Sequence, residues 1–289
     1  MGELAYVNGV FGPIGGANVS IEDRGFQFGD GIYEVIAAYD GNLFLVEKHM
    51  QRLRRSAAGI LLDYDFEGRP LEPIIAEGLR RSELREALIY VQITRGAAPR
   101  SHAIPAGLTP TVVMTFKSLP RLPEGLRERG ARVITTLDNR WANCYIKAIT
   151  LLPNVLAKNG AIQRGYDDAI FMTAEGEVRE CTSANIFIVS AGTLLIPPRN
   201  ESILHGVTQG FLIELASAIG LSVHEQVVRL ESLRGADEVF MSGTAAEVLG
   251  ITSIDDTSVG DGRVGSITRR LYKEFLRQTG RNRAPKPQA

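Results

Sequence analysis

Tyr33-Glu-Val-Ile-Ala-Ala-Tyr39, then Asp40-Gly41, then Leu43-Phe-Leu-Val46 is the stretch on which the fold turns. Two apolar runs joined by Asp-Gly have the pattern of a hairpin closed by a type I′ turn. The period then changes. Over 47–61, Met50, Leu53, Ala57 and Ile60 or Leu61 fall on one helical face. Paired strands followed at once by an amphipathic helix predict an α+β unit.

The same grammar extends in both directions. Upstream, Tyr6-Val7 and Val10-Phe11 flank Asn8-Gly9, a second two-residue turn signal. Downstream, Leu71–Arg81 reads as a helix starting near Pro73, and Leu88–Thr94 and Thr111–Phe116 as strands. A small N-terminal domain is expected over 1–117. Ser118-Leu-Pro-Arg-Leu-Pro-Glu-Gly125, with two prolines and a glycine, is the expected linker. A larger C-terminal domain is expected over 126–279, with a polar, Pro-containing tail over 280–289. Its expected strands are Arg132–Thr136, Ala169–Thr173, Asn185–Val189, Leu221–Val228 and Glu238–Met241; its helices are Leu152–Gln163, Val207–Ile219 and Ser266–Gln278. The strand spacing is too irregular for a βαβ array. The expectation is two α+β domains with any site in the cleft between them.

Composition narrows the function. The chain has 289 residues, 44% hydrophobic and 22% charged, with a formal charge of −1, so it reads as globular. A nucleic-acid binder would need a basic surplus that is missing here. Of the 32 basic residues only 6 are lysines, so an interior lysine is uncommon. Two cysteines, Cys144 and Cys181, are too few for a disulfide framework or a Cys-rich zinc site. A single bridge between them stays open, with reduced thiols in a cytoplasmic protein the expectation. No apolar run reaches the ~18 residues of a membrane span, and the first residues lack the regions of a signal peptide.

Several chemistries lack their residues. There is no Walker loop and no Gly-x-Ser-x-Gly elbow; Gly29-Asp-Gly31 meets Glu34 where a dinucleotide fingerprint needs its third glycine. Four scattered histidines have no metal-ligand spacing, so no metal site is expected. Three features remain. Lys147 lies in Asn143-Cys-Tyr-Ile-Lys-Ala-Ile-Thr-Leu-Leu152 among apolar neighbours. It is either a desolvated amine nucleophile or a lysine at an element's end with its ammonium in water. Leu204-His-Gly-Val-Thr208 precedes a helix, with Thr208 as the expected N-cap. This is either an ordinary capped helix or a phosphate site, and Ser242-Gly-Thr244 could add donors or be a plain turn. Glu180, in Val178-Arg-Glu-Cys-Thr-Ser-Ala-Asn185, is either a solvated strand end or the partner of a protonated pyridine nitrogen. Together the three suggest pyridoxal 5′-phosphate.

The chain closely resembles the fold-type IV pyridoxal-phosphate aminotransferases, and within them the D-amino acid aminotransferases. The likeness runs from about Val19 to Gln278. It is carried by Glu22-Asp-Arg-Gly-Phe-Gln-Phe-Gly-Asp-Gly-Ile-Tyr-Glu-Val35, His49-Met-Gln-Arg52-Leu, Thr94-Arg-Gly-Ala-Ala-Pro-Arg100-Ser-His102, Ile146-Lys147, Leu151-Leu152, Val155-Leu-Ala-Lys158, Gly206-Val-Thr208 and Ser242-Gly-Thr244. The resemblance implies a two-domain α+β fold with the cofactor in the cleft. It implies Lys147 as the catalytic lysine that bonds the cofactor, and Glu180 as the carboxylate facing the pyridine nitrogen. Arg52, Val207, Thr208 and Thr244 are implied as the phosphate cup, and Tyr33, Arg100 and His102 as the trap for the substrate carboxylate. In the family the loop bearing the Arg and His reaches the neighbouring subunit's site, which implies a homodimer.

The implied reaction moves the amino group of a D-alanine-like amino acid to 2-oxoglutarate or pyruvate, with ping-pong kinetics. The hand of the substrate follows from the side on which its carboxylate is held, because the lysine reaches only one face. Two departures bear on substrate range. Glu180-Cys-Thr-Ser183-Ala-Asn replaces a Gly/Ser-rich version, and Ser242-Gly-Thr244-Ala resembles the branched-chain L-aminotransferases. The alternatives are therefore an L-branched-chain or (R)-amine aminotransferase, an aminodeoxychorismate lyase-like enzyme, and, from another class, a catalytically silent binding protein.

Overall fold

The computed structural model describes residues 3–281; Met1-Gly2 and most of the expected tail, 282–289, lie outside the described residues. The chain divides into two compact units. The first comprises residues up to Pro120 together with Ile146–Thr150; the second comprises Arg121–Tyr145 and the chain from Leu151 onward.

The first unit contains β1 (Leu4–Val7), β2 (Val10–Pro13), the one-turn helix α1 (Arg24–Phe28), β3 (Gly31–Tyr39), β4 (Asn42–Leu43), α2 (Val46–Gly59), α3 (Glu72–Ser82), β5 (Ala87–Thr94) and β6 (Thr111–Ser118). Among the described residues the strands form a six-stranded sheet in the order β2-β1-β6-β5-β3-β4, antiparallel throughout. Asn8 and Gly9 both take positive φ, 45° and 103°, as a type I′ connection requires. The second hairpin is shorter than expected. Phe44 N donates to Ala37 O at 2.9 Å, and Leu45 then turns the chain with φ 54°, so α2 begins at Val46. Alternation along β3 and β5 buries Ile32, Ile36, Ile89, Val91 and Ile93, which form much of this unit's core.

The second unit contains α4 (Leu126–Arg129), β7 (Ala131–Leu137), α5 (Leu152–Gln163), β8 (Asp168–Met172), β9 (Val178–Cys181), β10 (Asn185–Ser190), β11 (Thr193–Ile196), α6 (Val207–Ala218), β12 (Val223–Glu225), α7 (Leu230–Arg234), β13 (Glu238–Gly243), β14 (Glu247–Ile254), β15 (Thr257–Ser258) and α8 (Ser266–Gln278). Its sheet runs β12-β11-β10-β13-β14-β7-β8-β9, with β15 on β14. Pairs β11/β12, β14/β7 and β7/β8 are parallel. Val133, Ile170, Ile186, Val239, Met241 and Ile251 belong to one buried cluster. Burying such side chains contributes roughly 1.5–3 kcal/mol each.

Several expectations need correction. The expected strand 221–228 is shorter, forming β12 only over Val223–Glu225. Glu180 lies within a strand, β9, that is absent from the expected set. Gly206, not Thr208, is the N-cap of α6, and Thr208 is its second helical residue. Helix α5 follows its expected bounds but not the usual polarity: Ala161 is buried, while Leu152, Val155, Leu156 and Ile162 are exposed. Cys144 and Cys181 are both free and buried. Burial pushes the Cys144 thiol up to about 11, so it stays protonated at neutral pH. Among the described residues no helix is long and apolar enough to cross a membrane, and no cluster of His, Cys, Asp and Glu could hold a metal ion.

Candidate active site

Ile146–Thr150 is a short segment laid along the start of β3. Tyr33 N donates to Lys147 O at 3.0 Å and Ile149 N to Gly31 O at 3.1 Å, while Ile32 and Ala148 form an antiparallel bridge. Gly31 makes this approach possible. A Cβ there would sit 2.8 Å from Ile93 O and 3.1 Å from the Ile149 side chain. Lys147 N donates to Ser56 Oγ of α2 at 3.0 Å, and Lys147 Nζ lies 4.2 Å from the centre of the Tyr33 ring. Lys147 is half-buried. Its amine therefore rests on an aromatic face.

On the opposite face of β3 stands Glu34, 0% exposed. It accepts from Arg52 Nε at 2.7 Å, from Arg52 Nη2 at 2.8 Å and from His49 Nδ1 at 2.7 Å. Burial alone would raise the Glu34 carboxyl, but the Arg52 charge and hydrogen bonds outweigh it and hold the group at about 2. Burial also pushes His49 down, against the pull of Glu34. A neutral His49 with its proton on Nδ1 satisfies an ionised Glu34, which accepts only. Arg52, which the resemblance implies as part of a phosphate cup, is thus a buried guanidinium oriented by a fork of two bonds to Glu34. Glu34 and His49 fall inside the quoted motifs, yet the sequence assigns neither a role. Nothing in their spacing reveals that a strand residue and a helix residue meet.

Arg100 and His102 lie in an exposed loop. Arg100 Cζ is 4.6 Å from the centre of the Phe28 ring, and the His102 ring is 5.5 Å from the same ring. Their loop is anchored by buried Arg24, whose Nη1 donates to Ser101 O at 2.6 Å and whose Nε donates to Asp30 at 2.8 Å. Arg95 makes a second fork to Asp30 at 2.8 and 2.9 Å and donates to Ile60 O and Leu61 O, both at 2.7 Å. An exposed loop is in this way tied to buried charged anchors. Tyr33 stacks on Tyr90 with ring centres 5.5 Å apart.

In the second unit Glu180 is buried on β9. It accepts from Arg140 Nη1, from Asn185 Nδ2 at 3.1 Å and from Leu204 N at 3.2 Å. Arg140, not singled out by the sequence, also reaches Asp138 with Nε at 2.9 Å and Nη2 at 2.8 Å. Asn185 bridges onward, donating to Leu204 O at 2.8 Å, and stands opposite Ser242 across the β10/β13 pair.

Val207 and Thr208 form the first turn of α6, whose N-cap Gly206 has no side-chain cap. A Cβ on Gly206 would fall 2.0 Å from Asn185 Oδ1. The first backbone N–H groups of a helix have no partner within it. Beside them, among the described residues, the Gln209 amide and the Ser242 hydroxyl are buried without a hydrogen-bond partner. Such atoms cost about 1–3 kcal/mol each unless something answers them. Thr244 follows Gly243 at the end of β13. This collection of donors at a helix N-terminus suits an anion.

Comparison with known proteins fits this chemistry. The family described as Amino-transferase class IV matches residues 31–254. A D-alanine aminotransferase of Staphylococcus epidermidis is 42% identical over 272 residues, covering 93% of this chain and 95% of the relative. One from Bacillus licheniformis is 40% identical, covering 88% and 89%. Among solved structures, the Escherichia coli branched-chain amino acid aminotransferase superposes with a TM-score of 0.88 at 29% identity, covering 99% of this chain and 98% of that one. A second branched-chain amino acid aminotransferase, solved with pyridoxamine 5′-phosphate, gives a TM-score of 0.89 at 29% identity, covering 96% and 95%.

Proposed function

This chain belongs to the class IV aminotransferases, and from that premise we propose that it moves the amino group of a D-alanine-like amino acid to a 2-oxo acid such as 2-oxoglutarate or pyruvate. Its cofactor is pyridoxal 5′-phosphate. The residues present fit that group. Unanswered buried donors at the start of α6 and on β13 suit a phosphate, with Val207, Thr208 and Thr244 supplying N–H and hydroxyl groups, and Arg52 is proposed as its guanidinium. Glu180, held in a buried setting of three donors, suits a protonated ring nitrogen.

When bound, the cofactor supplies an aldehyde that exchanges the amino group and a cationic ring that accepts electrons. Lys147 is its covalent anchor. Released from that bond, Lys147 Nζ takes the Cα proton of the substrate and later delivers a proton. Glu180 holds a proton on the ring nitrogen. Tyr33, Arg100 and His102 hold the substrate carboxylate, Arg100 with a planar fork. Because Lys147 serves one face, the side on which this trap lies selects the D-enantiomer.

The exposure of Arg100 and His102, in a loop held by Arg24, supports a trap that works in a second subunit. A homodimer is further supported by the exposed apolar face of α5: Leu152, Val155, Leu156 and Ile162, each at least 56% exposed. Two free, buried thiols are in keeping with a cytoplasmic enzyme.

The observation that carries the reading is the setting of Lys147, an amine placed on the Tyr33 ring by a segment stitched to β3. The solved neighbours favour a second reading, an L-branched-chain aminotransferase, and the Ser242-Gly-Thr244 loop leans the same way. Incubation with paired donors separates the two. Pyruvate release from D-alanine with no product from L-leucine supports the D-reading, and the reverse pattern overturns it.

A further inference from the structure

Arg140 is a buried cation held between two carboxylates. On one side Asp138, just past the end of β7, takes Nε at 2.9 Å and Nη2 at 2.8 Å. On the other, Nη1 donates to Glu180 Oε1. Nη2 also reaches Ser202 O at 3.4 Å, and Cζ lies 4.3 Å from the Phe171 ring centre. None of the three side chains is more than 13% exposed.

This arrangement poses an electrostatic problem. A carboxylate that must hold a cationic ring nitrogen already faces a guanidinium. Arg140 and Glu180 alone sum to zero charge, and a neutral pair does little to favour a nearby cation over its neutral form. Asp138 changes the sum to −1. Its fork also turns two of Arg140's N–H groups away from Glu180. Of the other charges nearby, Arg179 lies 3.6 Å from Glu177, which Arg229 also faces at 3.8 Å, and Lys158 lies 3.0 Å from Asp168. The buried thiols of Cys144 and Cys181 are pushed up by burial and carry no charge at neutral pH. Next to Leu204, His205 turns its Nε2 to Asn200 O at 3.1 Å.

We propose that Asp138 is a positioning residue for the transamination, acting through Arg140 so that the carboxylate at 180 carries a net negative charge toward the cofactor ring nitrogen. The proposal rests on the reading of Glu180 as the partner of that nitrogen. Asp138 touches neither substrate nor cofactor in this role. It sets the charge of the Arg140–Glu180 pair, and with it the proton on the ring.

The test is nuclear magnetic resonance of the holoenzyme loaded with cofactor carrying ¹⁵N at the ring nitrogen, titrated over pH. The wild type should keep the protonated-nitrogen shift at neutral pH. Asp138→Asn should lose that proton at a pH lower by about one unit or more, roughly a tenfold change in the proton equilibrium. Asp138→Glu should restore it. The double variant Asp138→Asn/Arg140→Met removes one charge of each sign and leaves Glu180 alone. It should keep the proton as the wild type does, and it carries the test if the single variant fails to fold. Wild-type behaviour in Asp138→Asn, or early proton loss in the double variant, overturns the proposal. Glu180→Gln separates the two levels of inference. A ring that stays protonated there refutes Glu180 as its partner, while proton loss there with none in Asp138→Asn refutes only the role of Asp138.

Discussion

Replacing Glu34 by glutamine removes a fully buried carboxylate of the first unit without changing its size. The wild-type group is 0% exposed and accepts three hydrogen bonds from Arg52 and His49. Burial raises its carboxyl, yet Arg52 and His49 bring it from 4.5 to about 2. A shift of that size corresponds to about 3 kcal/mol of stability. The folded-state value lies below the unfolded one. The contribution is therefore complete above pH 4.5 and disappears as pH falls through about 2. Glu34→Gln also leaves the Arg52 guanidinium buried without its counter-ion, a change that costs about 3–5 kcal/mol. Amide hydrogen exchange of β3 and β5 peptides in the cofactor-free protein reads this unit directly. The expected result is a loss of about 3 kcal/mol or more at pH 7, with the gap to wild type closing as the pH is lowered toward 2. Adding Arg52→Met to Glu34→Gln should recover part of the loss, because the stranded charge is gone. A single variant within about 1 kcal/mol of wild type at pH 7, or a gap independent of pH, would refute the account of this network.

Three other outcomes follow from named contacts. Gly31→Ala should destabilise by about 1–3 kcal/mol in thermal unfolding, since its Cβ meets Ile93 O at 2.8 Å and no side chain can yield there. Arg100→Ala should raise KM for D-alanine about tenfold or more while changing KM for a simple primary amine little, as loss of a carboxylate contact requires. Under the proposed homodimer the wild type should sediment as a dimer, and Leu156→Glu, which places a charge on the exposed apolar face of α5, as a monomer with unchanged secondary structure.

What can be read from the chain divides along physical lines. Helices α5 and α8 begin and end where their sequence pattern says, and Asn8-Gly9 turns as a hairpin should, because period and turn chemistry are local. Strand β14 is not legible in the same way. Glu247 opens it with φ 58° and Gly250 interrupts it, yet it lies between β13 and β7 because tertiary pairing outweighs propensity. The resemblance points to Lys147, but not to its membership of the first unit; five residues crossing back to β3 leave no compositional mark. The pairings Glu34–Arg52 and Asp138–Arg140–Glu180 are equally hidden. Arg52 and Glu34 stand 18 positions apart, Arg140 and Glu180 40 apart, and a charge's partner is set by the fold, not by its neighbours in the chain.

The central claim is that the amine at 147 carries the cofactor of a D-selective transaminase. Borohydride reduction of the holoenzyme, followed by proteolysis and mass mapping, tests it most directly. The phosphopyridoxyl group should be fixed on Lys147, and prior incubation with D-alanine, but not with L-alanine, should prevent the fixing. A label on Lys158 or any other lysine, or protection by the L-enantiomer alone, would contradict it.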